Sequence, residues 1–308
     1  MAPANSVTSM GGSFRLFSVF GISVQVHWSW LLVAFFAIQY RTNEYGSQVW
    51  NVAEYLSLFG IVLLHEFGHA FACRQTGGRA DRILLWPLGG IAFVQPPPRP
   101  GAVLWSIAAG PLVNVVLLPI TFAAWVLSSS QGLSETSPDL HHFLLTLLQI
   151  NLWILIFNML PVYPLDGGQI LQSLLWFVIG RARSLHVVSV ISLVVTVSVI
   201  GVALAYSEWF LLIMAIFLAM QAWAGFKQAR LLTQLDQLPR HADAVCPSCH
   251  AHPFAGEFWT CANCRASFDM FARRGVCPNC GHFYAATHCP QCQKLHSIQD
   301  WFSGGKRR

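Results

Sequence analysis

Charge is what this sequence has least of. Asp, Glu, Lys and Arg make up 10% of its 308 residues, against ~25% in an ordinary soluble protein. Hydrophobic residues make up 55%. A soluble fold cannot clothe its surface with so few charges, so two ordinary soluble domains are excluded. Disorder is excluded too, because disordered chains are poor in apolar and aromatic residues. Residues 1–226 also lack net charge, with 8 Lys/Arg against 8 Asp/Glu, and hold one cysteine, Cys73. From Lys227 onward there are 10 Lys/Arg, 5 Asp/Glu and the other eight cysteines, so the whole net charge of +5 lies in that tail.

What is present in the first part is long apolar stretches. A membrane span needs roughly 20 mostly apolar residues. Residues 52–73, 102–127, 143–160, 187–206 and 208–226 meet that need. Upstream, Ile22, Val24 and Val26 alternate with Ser23, Gln25 and His27, the period of a half-buried strand. The apolar run Trp28–Tyr40 follows, and is expected to be a sixth, shorter span. No cleaved leader is expected, since the apolar run comes late and no small-residue cleavage site follows it. Ile83–Val94 contains Pro87 and the Gly89–Gly90 pair. It reads as a re-entrant β-hairpin with a glycine turn, or else as a surface loop. Gln95–Pro100 reads as a stiff proline-rich connector.

The expected fold class is an all-α polytopic membrane protein of about six transmembrane helices. It carries a short membrane-associated β-hairpin or strand, and a small zinc-ribbon β tail. The expected domains are a membrane domain over 1–226, a linker over 227–243 and a double zinc ribbon over 244–308. The connections after spans two, four and six hold Arg74, Arg79, Arg82, Arg99, Arg181, Arg183, Lys227 and Arg230. Those after spans one, three and five hold only Arg41. Basic residues stay on the cytoplasmic side, which predicts cytoplasmic termini. Short loops suggest a multi-pass protein of a prokaryotic cytoplasmic membrane.

Ionisable groups within a span are costly and mark functional sites. The second span holds His65, Glu66 and His69 in LLHEFGHAF. Histidines at i and i+4 share one helical face and can grip one metal ion. Glu66 is offset to the side, where a carboxylate can take a proton from a metal-activated water. A catalytic zinc site usually has three protein ligands, and acids are few here. Glu44, Glu135, Asp139 and Glu208 belong to the opposite side of the membrane, and Asp81 sits in an Arg-flanked loop. Asp166 remains, beyond a helix break made by Pro161 and Pro164 and before Gly167–Gly168. The alternative for Asp166 is a plain helix N-cap.

The tail holds four CxxC pairs: Cys246/Cys249, Cys261/Cys264, Cys277/Cys280 and Cys289/Cys292. Each such turn aims two thiolates at one ion, and two turns close a tetrahedral site. Eight cysteines predict two structural zinc ions. Sequential pairing is favoured, with crossed-brace pairing as the alternative. A disulfide framework is disfavoured on a reducing cytoplasmic side.

These motifs together resemble the site-2 protease family of intramembrane zinc metalloproteases. The resemblance rests on HEFGH (His65–His69) and NMLPVYPLDGG (Asn158–Gly168). It extends to GPLVN (Gly110–Asn114), GGIAF and GISVQVHWS, and covers roughly residues 14–226. It implies one catalytic zinc held by His65, His69 and Asp166, with Glu66 as general base. It further implies Asn158 at the substrate backbone or oxyanion, and Gly89, Gly90 and Asn114 in substrate-positioning support. The implied reaction is hydrolysis of peptide bonds within transmembrane segments of protein substrates in the bilayer. The tail is expected to bind a regulatory protein or to touch lipid through Arg273–Arg274 and Lys306–Arg308. Its small excess of charge gives little support for nucleic acid. Two other readings stand beside this one. A membrane zinc transporter or zinc sensor also explains intramembrane His and Asp, and another metalloprotease class would take its third ligand from a later Glu.

Overall fold

A computed structural model describes residues 12–40, 44–86, 89–292 and 294–303. Arg41, Pro87 and Lys306–Arg308 lie outside the described residues. The chain divides into two compact units, Met1–Lys227 and Gln228–Arg308.

The first unit begins with β1 (Ser13–Val19) and β2 (Ile22–His27), an antiparallel pair. Phe20 and Gly21 join them, both at positive φ (52° and 71°), as a two-residue turn matched to strand twist requires. Helices α1 (Ser29–Tyr40) and α2 (Gln48–Gln75) follow. Then come β3 (Arg79–Trp86) and β4 (Gly89–Gln95). The four strands form one sheet in the order β1-β2-β3-β4, with β2 parallel to β3 and the other pairs antiparallel. The apolar residues of β2 point inward as their alternation predicts. Ile22, Val24 and Val26 pack with Ile83 and Leu85 of β3 against Ala70 and Cys73 of α2. Arg74, near the end of α2, donates to the carbonyls of Phe20, Gly21 and Ala80, pinning the β1–β2 turn and β3 to that helix end.

Five further helices complete the unit: α3 (Pro100–Ser130), the short α4 (Leu133–Thr136), α5 (Pro138–Asn158), α6 (Asp166–Ile179) and α7 (Arg181–Ala205). Then α8 (Trp209–Asp236) carries the chain onward. Among the described residues, α2, α3, α5, α7 and α8 are long and apolar enough to cross a membrane. The expected sixth span takes another form. Helix α1 has 12 residues, about 18 Å at 1.5 Å per residue, too short for a ~30 Å hydrocarbon core. Trp30 packs edge-on against Tyr55 and Phe59, and Tyr55 donates to the Trp30 carbonyl at 2.9 Å. So α1 starts beside the N-terminal half of α2, while β2 runs beside its C-terminal half. The segment is part strand and part helix, because β-branched alternation favours the sheet up to His27.

Two more expectations change. A full four-stranded sheet replaces the isolated strand and hairpin, since β1 supplies a partner for β2. The hairpin over Ile83–Val94 is present, but Gly89 and Gly90 lie in strand β4, paired with Trp86 and Leu85, and are not its turn. The 14-residue helix α6, counted in none of the expected spans, fills the chain between the proline break and Arg181.

Helices α2 and α3 approach closely. A Cβ on Gly68 would meet the Ala109 carbonyl oxygen at 2.6 Å and Val113 at 2.9 Å. Small residues allow such backbone contact in membranes, where van der Waals packing drives helix association.

The second unit is small. After α8 it has two short hairpins, β5 (Trp259–Thr260) with β6 (Ser267–Phe268) and β7 (Ala286–His288) with β8 (Leu295–Ser297). Helix α9 (Ile298–Phe302) ends it. Its core joins Phe268, Phe271, Ile298 and Trp301 to buried cysteines. The Val245 N–H donates to the Trp301 carbonyl at 2.8 Å, closing the start of the fold on its end.

Replacing Gly68 by Leu is expected to destabilise the membrane unit by about 1–3 kcal/mol through overpacking of the α2–α3 contact. Thermal unfolding in detergent measures this, and an unchanged midpoint would refute the contact.

Candidate metal centre

Helix α2 brings His65, Glu66 and His69 into the bundle interior, each no more than 6% exposed. Asp166 arrives from a different element. Helix α5 ends at Asn158, and Pro161 and Pro164 within the next residues cannot donate backbone hydrogen bonds. The break is anchored instead by side chains. The Tyr163 N–H donates to Ser192 Oγ of α7 at 2.7 Å, and Gln169 Nε2 donates to the Pro164 carbonyl at 2.7 Å. Gly167 and Gly168 let α6 start against this loop, since a Cβ on either would meet loop backbone atoms at 2.4–2.5 Å. Asp166 is the first residue of α6, Leu165 is the N-cap and no side-chain capping bond forms. The N-cap alternative for Asp166 therefore falls away, and its carboxylate reaches across to the histidines.

Asp166 Oδ2 lies 2.9 Å from His65 Nε2 and 3.4 Å from His69 Nε2. The two Nε2 atoms are 3.1 Å apart. The other ring nitrogens settle what these atoms carry. His69 Nδ1 faces the Ser106 carbonyl oxygen at 2.9 Å. A carbonyl can only accept, so Nδ1 holds the proton and Nε2 of the neutral ring presents a lone pair. His65 Nδ1 faces Asn114 Oδ1 at 2.6 Å, with the same result. With both rings neutral, two lone pairs and a carboxylate converge on one point, a donor set for a single cation. The spacings agree with the ~3.3 Å edges of a tetrahedron built on zinc–nitrogen and zinc–oxygen bonds of ~2.0–2.2 Å. The donor set fits zinc. Gly110 of α3 leaves the space, since a Cβ there would stand 2.3 Å from the His69 ring and 2.7 Å from His65 Nε2.

Glu66 stays outside this trio. Its carboxylate accepts the Ala92 N–H of β4. A Cβ on Gly90 would lie 2.4 Å from Glu66 Oε1, so the strand can back onto the carboxylate only through glycine. Gly89 has open space around it and a φ of +137° that suits glycine alone. Asn158 is half-buried and makes no side-chain hydrogen bond among the described residues. Asn114, expected in a supporting position, is wholly buried, and its Oδ1 faces His65 Nδ1. Glu54, the remaining acid of α2, accepts from the Tyr45 hydroxyl at 2.9 Å about three turns before His65. Two contributors escaped the sequence reading. The Ser106 carbonyl is a backbone group that any residue type supplies. The Ser192 anchor looks like any membrane-helix serine.

In the tail the cysteines form two groups, Cys246/Cys249/Cys289/Cys292 and Cys261/Cys264/Cys277/Cys280. Pairing is nested, not sequential and not crossed-brace. The outer pairs meet because Val245 and Trp301 close the chain on itself, and the inner pairs meet across the segment they enclose. Sulfurs of opposing pairs stand 3.6–3.7 Å apart. That is near the ~3.8 Å edge of a tetrahedron with zinc–sulfur bonds of ~2.3 Å, and far from a disulfide at ~2.05 Å. The Tyr284 hydroxyl donates to Cys261 Sγ and holds that thiol down to about 5. Burial pushes Cys277 up to about 11, so four thiolates together require a cation. Both groups fit zinc. Cys73 stands apart, buried against the sheet, with its thiol donating to the Arg79 carbonyl.

The family model for peptidase family M50 matches residues 53–137 and 131–202, a region that holds every member of the His65, Glu66, His69 and Asp166 site. The chain belongs to peptidase family M50. It is 30% identical over 175 residues to a zinc metalloprotease of Methanocaldococcus jannaschii, covering 57% of this chain and 49% of that one. It is 38% identical over 121 residues to stage IV sporulation protein FB of Bacillus subtilis, covering 38% of each. The chain thus spans half or less of the length of these relatives. In three dimensions it resembles the site-2 protease from Methanocaldococcus jannaschii, with a TM-score of 0.50 and 26% identity, covering 70% of this chain and 95% of that one. This M50 chain is an integral membrane protein with the site-2 protease fold and three groups suited to zinc.

Substituting Ala for Gly110 is expected to eject the zinc held at His65 and His69 while both tail ions remain, which metal analysis of purified protein would record as a fall from three zinc to two. The double substitution Cys246→Ser and Cys292→Ser is expected to remove one tail zinc. Sequential pairing would instead cost both.

Proposed function

We propose that the protein is an intramembrane zinc endopeptidase that hydrolyses peptide bonds within or near transmembrane segments of membrane-protein substrates. One observation carries this reading. A buried carboxylate, Glu66, stands beside a three-donor metal group without belonging to it, an arrangement a carrier or sensor of zinc would not need. His65, His69 and Asp166 would hold the ion. When bound, zinc supplies Lewis-acid polarisation of a carbonyl and acidification of a water. Glu66 takes a proton from the attacking water and returns it to the amide nitrogen as the C–N bond breaks. Asn158, whose side chain is uncommitted, donates to the carbonyl oxygen as negative charge develops there.

A helical substrate must unwind before its carbonyls can react. Among the described residues strand β4 is an edge strand, bonded on one side to β3 alone, and it passes over Glu66. An extended substrate segment would pair with its free edge, as peptides add to exposed sheet edges elsewhere. Residues 1–226 would form the protease domain, 227–243 the linker and 244–308 the ribbon tail, which we assign to docking a regulatory protein. The distribution of Arg and Lys supports a cytoplasmic location for both termini. Contact of β2 with β3 at the Arg74 end of α2 supports the same side for the N-terminal strands.

Substituting Gln for Glu66 is expected to abolish cleavage, a fall of at least about a hundredfold for loss of a general base, with zinc content unchanged. Comparative membrane proteomics of cells carrying each form would read it as accumulation of uncleaved substrates. Cleavage at the normal rate by the Gln variant would rule the reading out.

A further inference from the structure

We propose that Asn151 of α5 is a positioning residue for the metal centre, acting through Asn114 to keep the Nε2 lone pair of His65 turned inward. The proposal deepens the reading of His65 as a metal ligand and rests on it. Asn114 and Asn151 are both wholly buried, out of reach of solvent.

The direction of the chain of bonds follows from one fixed group. Asn151 Nδ2 lies 3.0 Å from the backbone oxygen of Asn114. A backbone carbonyl accepts and never donates, so the nitrogen end of the Asn151 amide is turned there. Its oxygen end is then the one facing the Asn114 side chain, and Asn114 Nδ2 donates to Asn151 Oδ1 at 2.8 Å. Asn114 Oδ1 is left to face His65 Nδ1 at 2.6 Å. That nitrogen must therefore donate, so the neutral ring keeps its lone pair on Nε2, 2.9 Å from Asp166 Oδ2.

The alternative state shows what Asn151 prevents. If the Asn114 amide turned over, its NH2 would face His65 Nδ1, and the ring proton would have to move to Nε2, the ligand atom. The same turn would press Asn114 Oδ1 against Asn151 Oδ1, two acceptors at hydrogen-bond distance with no hydrogen between them. Buried polar groups without partners are costly, so Asn151 disfavours the turned state. Helix α5 thus shapes the metal centre while contributing no ligand to it.

The test uses the full-length protein in detergent with zinc itself as the probe, titrated against a competing chelator. Substituting Leu for Asn151 is expected to weaken retention of the membrane-unit zinc about tenfold, the scale for partners behind a ligand, with both tail ions held as in the unaltered protein. The Asn114→Leu variant should lose it as well, and the Asn114→Leu/Asn151→Leu double variant no more than Asn114→Leu alone. Asn151→Asp retains an acceptor for Asn114 and should hold zinc more tightly than Asn151→Leu. Undiminished zinc in Asn151→Leu, losses that multiply in the double variant, or an Asp variant as weak as the Leu variant would each overturn the proposal. If Asn151→Leu does not fold, Asn151→Asp decides: retention near that of the unaltered protein supports it, and a tenfold loss overturns it. No substrate enters this measurement. Failure of proteolysis would therefore sink the protease reading without touching this one.

Discussion

The structure of the membrane unit depends on a repulsion. Three electron-rich atoms, two imidazole nitrogens and a carboxylate oxygen, meet inside an apolar bundle and repel one another when both rings are neutral. Such an arrangement persists only where a cation balances it and where each donor is held from behind. The surroundings read as answers to that demand. The Ser106 carbonyl and Asn114 fix the two rings. Ser192 and the Gly167–Gly168 pair fix the loop that delivers Asp166. Gly110 keeps the centre open. These partners come from α3, α6 and α7 and surround ligands on α2 and α6, so the site and the helix packing are one problem.

The sheet solves a second problem, that of exposed backbone. Strands within reach of the membrane must pair or lie against protein. Here the four strands pair in one sheet and β2, β3 and β4 rest on α2, while among the described residues β1 and β4 are its edges, β4 lying beside Glu66. The tail meets a different limit. It has too few residues for a large apolar core, so its aromatic cluster is assembled around cysteine sulfurs, and metal binding contributes folding energy directly.

Much of this was legible in the sequence because polar residues in an apolar segment have few explanations. HExxH at helical spacing placed His65 and His69 on one face whatever the neighbouring helices did. Asp166 was legible for a related reason: acids are so rare in residues 1–226 that one beside a proline break stood out. Positions defined by what they lack were harder. Gly90 and Gly110 matter because a Cβ would strike Glu66 or His69, and only the packed neighbours reveal that. Asn151 carries no local signal, since a lone asparagine in a membrane helix has many uses.

The sequence by itself picked out the residues that come together as three groups suited to a metal, since ligand chemistry and helical periodicity are local properties. It also determined the division near residue 227, because hydropathy changes there. Only the tertiary structure decided which CxxC turns share an ion, since pairing depends on how Val245 returns to Trp301 and not on gap lengths. Only it decided that the segment before α2 is half strand, because β2 needed both β1 and β3 to pair with. Which nitrogen of His65 and of His69 faces an acceptor was likewise decided in three dimensions, since the carbonyl and the amide oxygen that meet the two Nδ1 atoms lie on another helix.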